Sequence, residues 1–119
     1  MSLDWDELIV DAKDHATLGR WWANALGWVI VDEDETGIEI RKLAEHRPGI
    51  VFVPVGDPKL TKNRVHLDFR PDDRDAEVDR LLALGATRAD VGQGEQSWVV
   101  LTDPEGNEFC VLQSRGLAD

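Results

Sequence analysis

The chain has 119 residues, enough for one domain that buries roughly two-thirds of its unfolded surface. Twenty-four acidic against thirteen basic residues give a formal net charge of −11, a field that disfavours nucleic-acid phosphates and anionic membrane surfaces as partners. The single cysteine, Cys110, allows no intrachain disulfide and suits a reducing cytoplasm, and no apolar run approaches the ~18 residues of a membrane span.

In chain order, Met1–Glu7 is too acidic for a signal peptide, and Asp4–Asp11 reads as a first strand. Its Leu8 and Val10 point to one face, and Glu7, Ile9 and Asp11 to the other. Asp14 caps a helix over His15–Leu26, in which Leu18, Trp21, Trp22, Ala25 and Leu26 recur at helical spacing. Gly27 suits the left-handed position after that helix. Trp28–Val31 is a second strand, Asp32–Thr36 with Gly37 an acidic turn, and Ile38–Lys42 a third strand. After the loop Leu43–Gly49, the nearly continuous apolar run Ile50–Val55 reads as a fourth strand buried on both faces.

The segment Gly56–Lys62 is polar and turn-rich, too short for a flexible tether. Beyond it the order begins again. Val65, Leu67 and Phe69 alternate with His66, Asp68 and Arg70, so Arg64–Arg70 reads as strand five. Pro71 ends it, and Asp72 or Asp73 caps a helix over Arg74–Leu84 with Val78, Leu81 and Leu82 inward. Thr87–Val91 is strand six, Gly92–Gln96 a turn, and Ser97–Leu101 strand seven. Asp103–Gly106 has proline second and glycine fourth, as a type I turn prefers. Glu108–Gln113 is the last strand, and Ser114–Asp119 a loose tail.

The two halves also repeat in detail. Glu7 falls on His66, Leu8 on Leu67, Val10 on Phe69 and Asp14 on Asp73, each pair 59 positions apart. Both helices end on Ala-Leu-Gly, at Ala25–Gly27 and Ala83–Gly85. One βαβββ unit is used twice.

Three stretches, Arg20–Trp28, Asn63–Phe69 and Asp103–Cys110, carry a wider resemblance. With the repeat they span nearly the whole chain. It resembles the vicinal oxygen chelate superfamily, which groups glyoxalases, bleomycin resistance proteins and extradiol dioxygenases, and within it the glyoxalase-like domain branch. The resemblance implies an α+β fold of two βαβββ modules forming a half-open barrel around a cleft for a small molecule. It implies one domain over residues 1–119, with module 1 at about 4–55, a connector at 56–63 and module 2 at about 64–113. It also implies a homodimer. It is specific for the fold and poor for the reaction, because many chemistries share this scaffold.

Within that fold, strand alternation turns Glu7, Ile9, Asp11, His66, Asp68, Arg70, Glu108 and Cys110 toward the cleft, with Trp98 at a strand start as a candidate wall. Metal-dependent relatives place a ligand on the first and last strand of each module. By that resemblance His66, Glu7 and Cys110 would hold one divalent ion (Zn, Ni, Fe or Mn), with Glu108 a neighbouring substitute. Cys110 stands where a glutamate is expected, and the place near Val53 offers no donor. The set is therefore two or three ligands of four. Three functions follow: a binder of an aromatic or apolar molecule, a metal-dependent lyase, isomerase or dioxygenase, and a structural dimerisation module. The residues favour the first. His15 and His46 read as surface residues.

Overall fold

The structure is a computed structural model that describes residues 2–90, 92, 94 and 96–114. It divides into two compact units, Met1–Pro58 and Lys59–Asp119.

The first unit runs β1 (Glu7–Ala12), α1 (His15–Leu26), β2 (Val29–Asp34), β3 (Gly37–Arg41) and β4 (Gly49–Pro54). Its sheet has the order β1-β4-β3-β2, with β1 parallel to β4 and the other pairs antiparallel. Helix α1 starts where Asp14 Oδ1 accepts the Thr17 amide hydrogen at 3.1 Å. It stops at Gly27, whose φ of 67° is the left-handed conformation glycine adopts without a Cβ clash. Leu18, Gly19, Trp22, Ala23 and Ala25 form its buried face. With Ile38, Ile40, Ile50 and Phe52 they are the core of this unit. On β4 the buried side chains are Ile50 and Phe52, while Val51 and Val53 are half-buried. The apolar run therefore buries one face fully and the other only in part.

The second unit repeats the plan with β5 (Leu67–Phe69), α2 (Arg74–Ala83), β6 (Thr87–Arg88), β7 (Val99–Thr102) and β8 (Glu108–Val111). Its sheet order is β5-β8-β7-β6, again with first and last strands parallel. Asp73 is the cap of α2, accepting the Ala76 amide hydrogen at 3.1 Å. The helix ends also correspond: Trp28 N donates to Ala23 O at 2.9 Å, and Ala86 N donates to Leu81 O at 3.0 Å. Val78 and Leu81 face the core with Leu101, Phe109 and Val111, whereas Leu82 is only half-buried. Phe69 meets Phe109 edge to face at 6.0 Å between ring centroids.

The fold class is thus α+β, with two βαβββ modules and sheets that are not closed. Strand five is shorter than the Arg64–Arg70 expected from alternation. Strand six stops at Arg88 instead of reaching Val91, which, with two residues of the Gly92–Gln96 turn and most of the tail, lies outside the described residues. Among the described residues no helix is long and apolar enough to cross a membrane.

Candidate functional site

The site is built on the face of the second sheet that turns away from α2. On β8, Phe109 and Val111 go to the core side, so Glu108 and Cys110 go to the opposite side. Register then fixes their neighbours. Cys110 pairs with Asp68 across the parallel β5 and with Val100 across the antiparallel β7. Asp68, Cys110 and Val100 therefore form one row across the sheet, and His66, two residues before Asp68, extends it.

These residues line a cavity of about 330 Å³. Trp98, Val100, Leu112 and the Cys110 side chain give it an apolar wall. His66, Asp68, Lys62 and Glu108 supply the polar groups. A mainly apolar hollow with a few polar groups on one side is the usual form of a small-molecule site.

Glu108 is already engaged. Its carboxylate accepts from Lys59 Nζ at 2.9 Å and from the Asn63 amide at 2.9 Å. Burial pushes this carboxyl up, but the Asn63 amide and the Lys59 ammonium outweigh it and hold the group below the usual carboxylate range. Asn63 Nδ2 donates to Asn107 Oδ1 at 3.0 Å, and Asn107 Nδ2 donates to the buried Asp103 carboxylate at 2.9 Å. The segment leading to His66 is thereby held against the start of β8. The Asn63 amide is given to a side chain, and β5 begins only four residues later, at Leu67.

His66 and Asp68 are exposed, and His66 Nε2 lies 3.3 Å from Asp68 Oδ1. Cys110 is buried. Burial pushes its thiol up to about 11, the charge and hydrogen bond of Asp68 push the same way, and Lys62 opposes them weakly. One donor atom from each of His66, Asp68 and Cys110 lies within 4.8 Å of the other two. Such an N, O and S set is chemically able to hold a divalent transition metal.

The residues expected at the cleft fall in both units. His66, Asp68, Trp98, Glu108 and Cys110 all line the cavity of the second. Glu7 is half-buried on β1 of the first unit, where it pairs with Gly49, and Ile9 on the same strand is exposed. Val53, the donorless position, pairs with Asp11. Lys62 was not anticipated because it lies in the connector, where no periodicity applies. Asp68 was expected to line the cleft, yet its place in the donor cluster depends on the β5–β8 register. His15, read as a surface residue, has Nε2 3.0 Å from the Asp34 carbonyl oxygen.

Solved structures share this architecture. A glyoxalase/bleomycin resistance protein/dioxygenase family enzyme from Burkholderia phytofirmans is 16% identical, with a TM-score of 0.70 over 89% of this chain and 94% of its own. The fosfomycin resistance protein FosX of Listeria monocytogenes is 15% identical, with a TM-score of 0.70 over 98% of this chain and 97% of its own. Glyoxalase I of Leishmania major is 11% identical, with a TM-score of 0.66 over 96% of this chain and 88% of its own. Identities this low establish the fold, and the differing activities of these proteins show how little the fold fixes the reaction. A search of curated protein sequences finds no match. The profile of the glyoxalase-like domain family matches residues 7–112, and the doubled βαβββ order agrees with it. The chain belongs to the glyoxalase-like domain family.

Proposed function

We propose that the protein binds a small organic molecule with an aromatic or apolar body in the cavity of the second unit. The observation that carries this reading is the composition of the cavity wall. Trp98, Val100 and Leu112 offer apolar surface, while His66, Asp68 and Lys62 offer donors and acceptors at one side. Apolar surface supplies affinity by leaving water, and the few polar groups fix orientation. Lys62 would favour an anionic or acceptor group on the ligand. In this reading the two units form one domain, and the protein is a homodimer. The exposed Ile9, Val29 and Ile30, on the two outer strands of the first sheet, motivate the dimer.

Tryptophan fluorescence, with ligand-observed NMR, against a panel of aromatic and apolar compounds tests the binding reading. A ligand is expected to bind in a chelator-containing buffer, and Trp98→Ala is expected to weaken it by roughly tenfold, a common cost of truncating an anchoring aromatic. A panel without binders, or equal binding by the Trp98 variant, would refute it. Sedimentation at micromolar concentration tests the dimer, with a monomer as the adverse result.

A second reading, a divalent-metal lyase, isomerase or dioxygenase using His66 and Glu7, has one observation in its favour: the donors of His66, Asp68 and Cys110 converge. A bound divalent ion would polarise a substrate oxygen. The chain's own groups would orient that substrate: Trp98 against an apolar portion and Lys62 against a negative one.

A further inference from the structure

We infer that the cavity of the second unit takes a monoanion, an aromatic or apolar carboxylate, and that Lys62 is the residue that selects it over neutral and cationic molecules of the same shape. This rests on the binding reading above and deepens it, from the body of the ligand to its charge.

The charges that line the hollow carry the inference. Besides Cys110, its ionisable side chains are Lys62, His66, Asp68 and Glu108. Both acids are engaged by other residues. Glu108 pairs with Lys59 at 2.9 Å, and with side chains only 12% and 18% exposed the two are poorly reached by solvent. Asp68 stands 3.3 Å from His66 Nε2 and accepts the thiol of Cys110. Lys62 has no such counter-charge. Its Nζ donates to the Asn63 carbonyl oxygen at 3.3 Å, and it forms no ion pair among the described residues. An ammonium carries three N–H donors, so two are left for a ligand.

The segment that presents Lys62 is fixed on both sides. Glu108 Oε2 accepts from Lys59 Nζ and Oε1 accepts the Asn63 amide hydrogen, each at 2.9 Å. One carboxylate of β8 therefore holds the residues before and after Lys62. Two lysines divide the work. Lys59 answers the charge of Glu108, which would otherwise compete for Lys62, and Lys62 keeps its charge for the hollow. Its field reaches the cavity wall, where it acts on the Cys110 thiol in the opposite sense to Asp68. Beside the apolar surface of Trp98, Val100 and Leu112, a charge-assisted hydrogen bond to a carboxylate is less screened than on an open surface. Such a preference also opposes the field of the whole chain, whose net charge of −11 attracts cations, so its source has to be local.

The test uses the full chain and three compounds of one shape: naphthoate, naphthamide and naphthylmethylammonium, substituted at the same carbon. They are titrated at neutral pH and low salt, with calorimetry and ligand-observed NMR as readouts. Naphthoate should bind about tenfold or more tighter than the amide, and the ammonium no tighter than the amide. High salt should narrow the gap. Lys62 is exposed, so Lys62→Met should keep the wild-type circular dichroism. It should bring naphthoate to within about twofold of the amide while leaving amide affinity unchanged, as expected once the charge-assisted bond is gone. Lys62→Arg should retain the preference. Lys42→Met removes the same charge from an exposed site in the first unit and should bind all three compounds as wild type does. Equal binding of naphthoate and naphthamide, tighter binding of the ammonium, or a preference for naphthoate that survives in Lys62→Met overturns the inference and leaves the binding reading standing. Loss of the preference in Lys42→Met equally overturns it, because distant charge would then suffice. Binding of none of the three refutes the aromatic-binding reading, and the inference falls with it.

Discussion

Asp68 and Cys110 face each other across the parallel ladder of β5 and β8, and the carboxylate that bonds the thiol is the one 3.3 Å from His66. The pairing sets the reactivity of the only cysteine. A thiol raised from 9.0 to about 11 carries a thiolate fraction roughly a hundredfold lower at neutral pH, where the thiolate is the nucleophile. In the metal-free protein, iodoacetamide should therefore label Cys110 at least a hundredfold more slowly than a free thiol, with a rate that climbs with pH toward 11. Asp68→Asn removes a group that raises the thiol and should accelerate labelling without unfolding. Mass spectrometry of timed aliquots reads both rates, and wild-type labelling as fast as a small-molecule thiol would contradict the buried, acid-flanked site.

Glu108 makes the stability of the second unit depend on acidity. Its carboxyl is held below its ordinary value of 4.5, so the folded state binds its proton less readily than the unfolded chain. The resulting stabilisation is fully present above about that value and is lost as the pH falls through the folded one. Glu108→Gln keeps an oxygen for the Asn63 amide but faces Lys59 without charge. It should cost about 1–2 kcal/mol at pH 7, as expected for a charge-assisted bond with little solvent exposure. The gap from wild type should shrink below about pH 4 in urea melts. A gap that stays constant across that range would mean that the charge of Glu108 contributes nothing.

The elements legible in the sequence are those whose causes are local. Asp14 and Asp73 cap helices whose apolar spacing is visible by inspection, and the first helix has the bounds expected for it. The duplicated order β1-β4-β3-β2 and β5-β8-β7-β6 was foreshadowed by the 59-residue offset between Glu7 and His66. What was not legible depends on partners far along the chain. Strand five begins at Leu67 and not at Arg64, and the segment before it is held through the Asn63 amide by Glu108, 45 positions away. Alternation alone placed His66 and Asp68 on one face; their meeting with Cys110 required the register of two strands separated by a helix and two further strands.

Asp103 looked in the sequence like simple turn chemistry, and its environment makes it more than that. It is 4% exposed, and its Oδ1 accepts the amides of Glu105 at 2.9 Å and Asn107 at 3.0 Å, while Oδ2 accepts Asn107 Nδ2 at 2.9 Å. Asp103→Ala leaves those donors without an acceptor in a place that water reaches poorly, and should cost about 2–4 kcal/mol. Because Asn107 also bonds Asn63, the variant should loosen the segment before His66. Hydrogen exchange should show faster exchange at Asn63 and Asn107 well below the global unfolding free energy. Unchanged protection at Asn63 would break the proposed link between turn and site.

Gly19 poses two opposed effects of known size. It lies inside α1, where glycine is about 1 kcal/mol worse than alanine, so sequence alone recommends Gly19→Ala as stabilising. A Cβ there would lie 2.2 Å from Ile38 Cγ2 and 3.2 Å from Phe52 Cδ1. Ile38 is 0% exposed and Phe52 1%, so neither has open space to move into. Overpacking of this kind costs about 1–3 kcal/mol, and the upper part of that range applies when the obstacle is a branched carbon next to the backbone. The net expectation is a loss of about 1–2 kcal/mol, seen as a lower urea midpoint with an unchanged slope. Ile38→Ala removes the offending methyl, and in that background Gly19→Ala should become neutral or stabilising by up to about 1 kcal/mol. Loss of stability of the same size in both backgrounds would show that the close approach of α1 to β3 is not what requires glycine at this position.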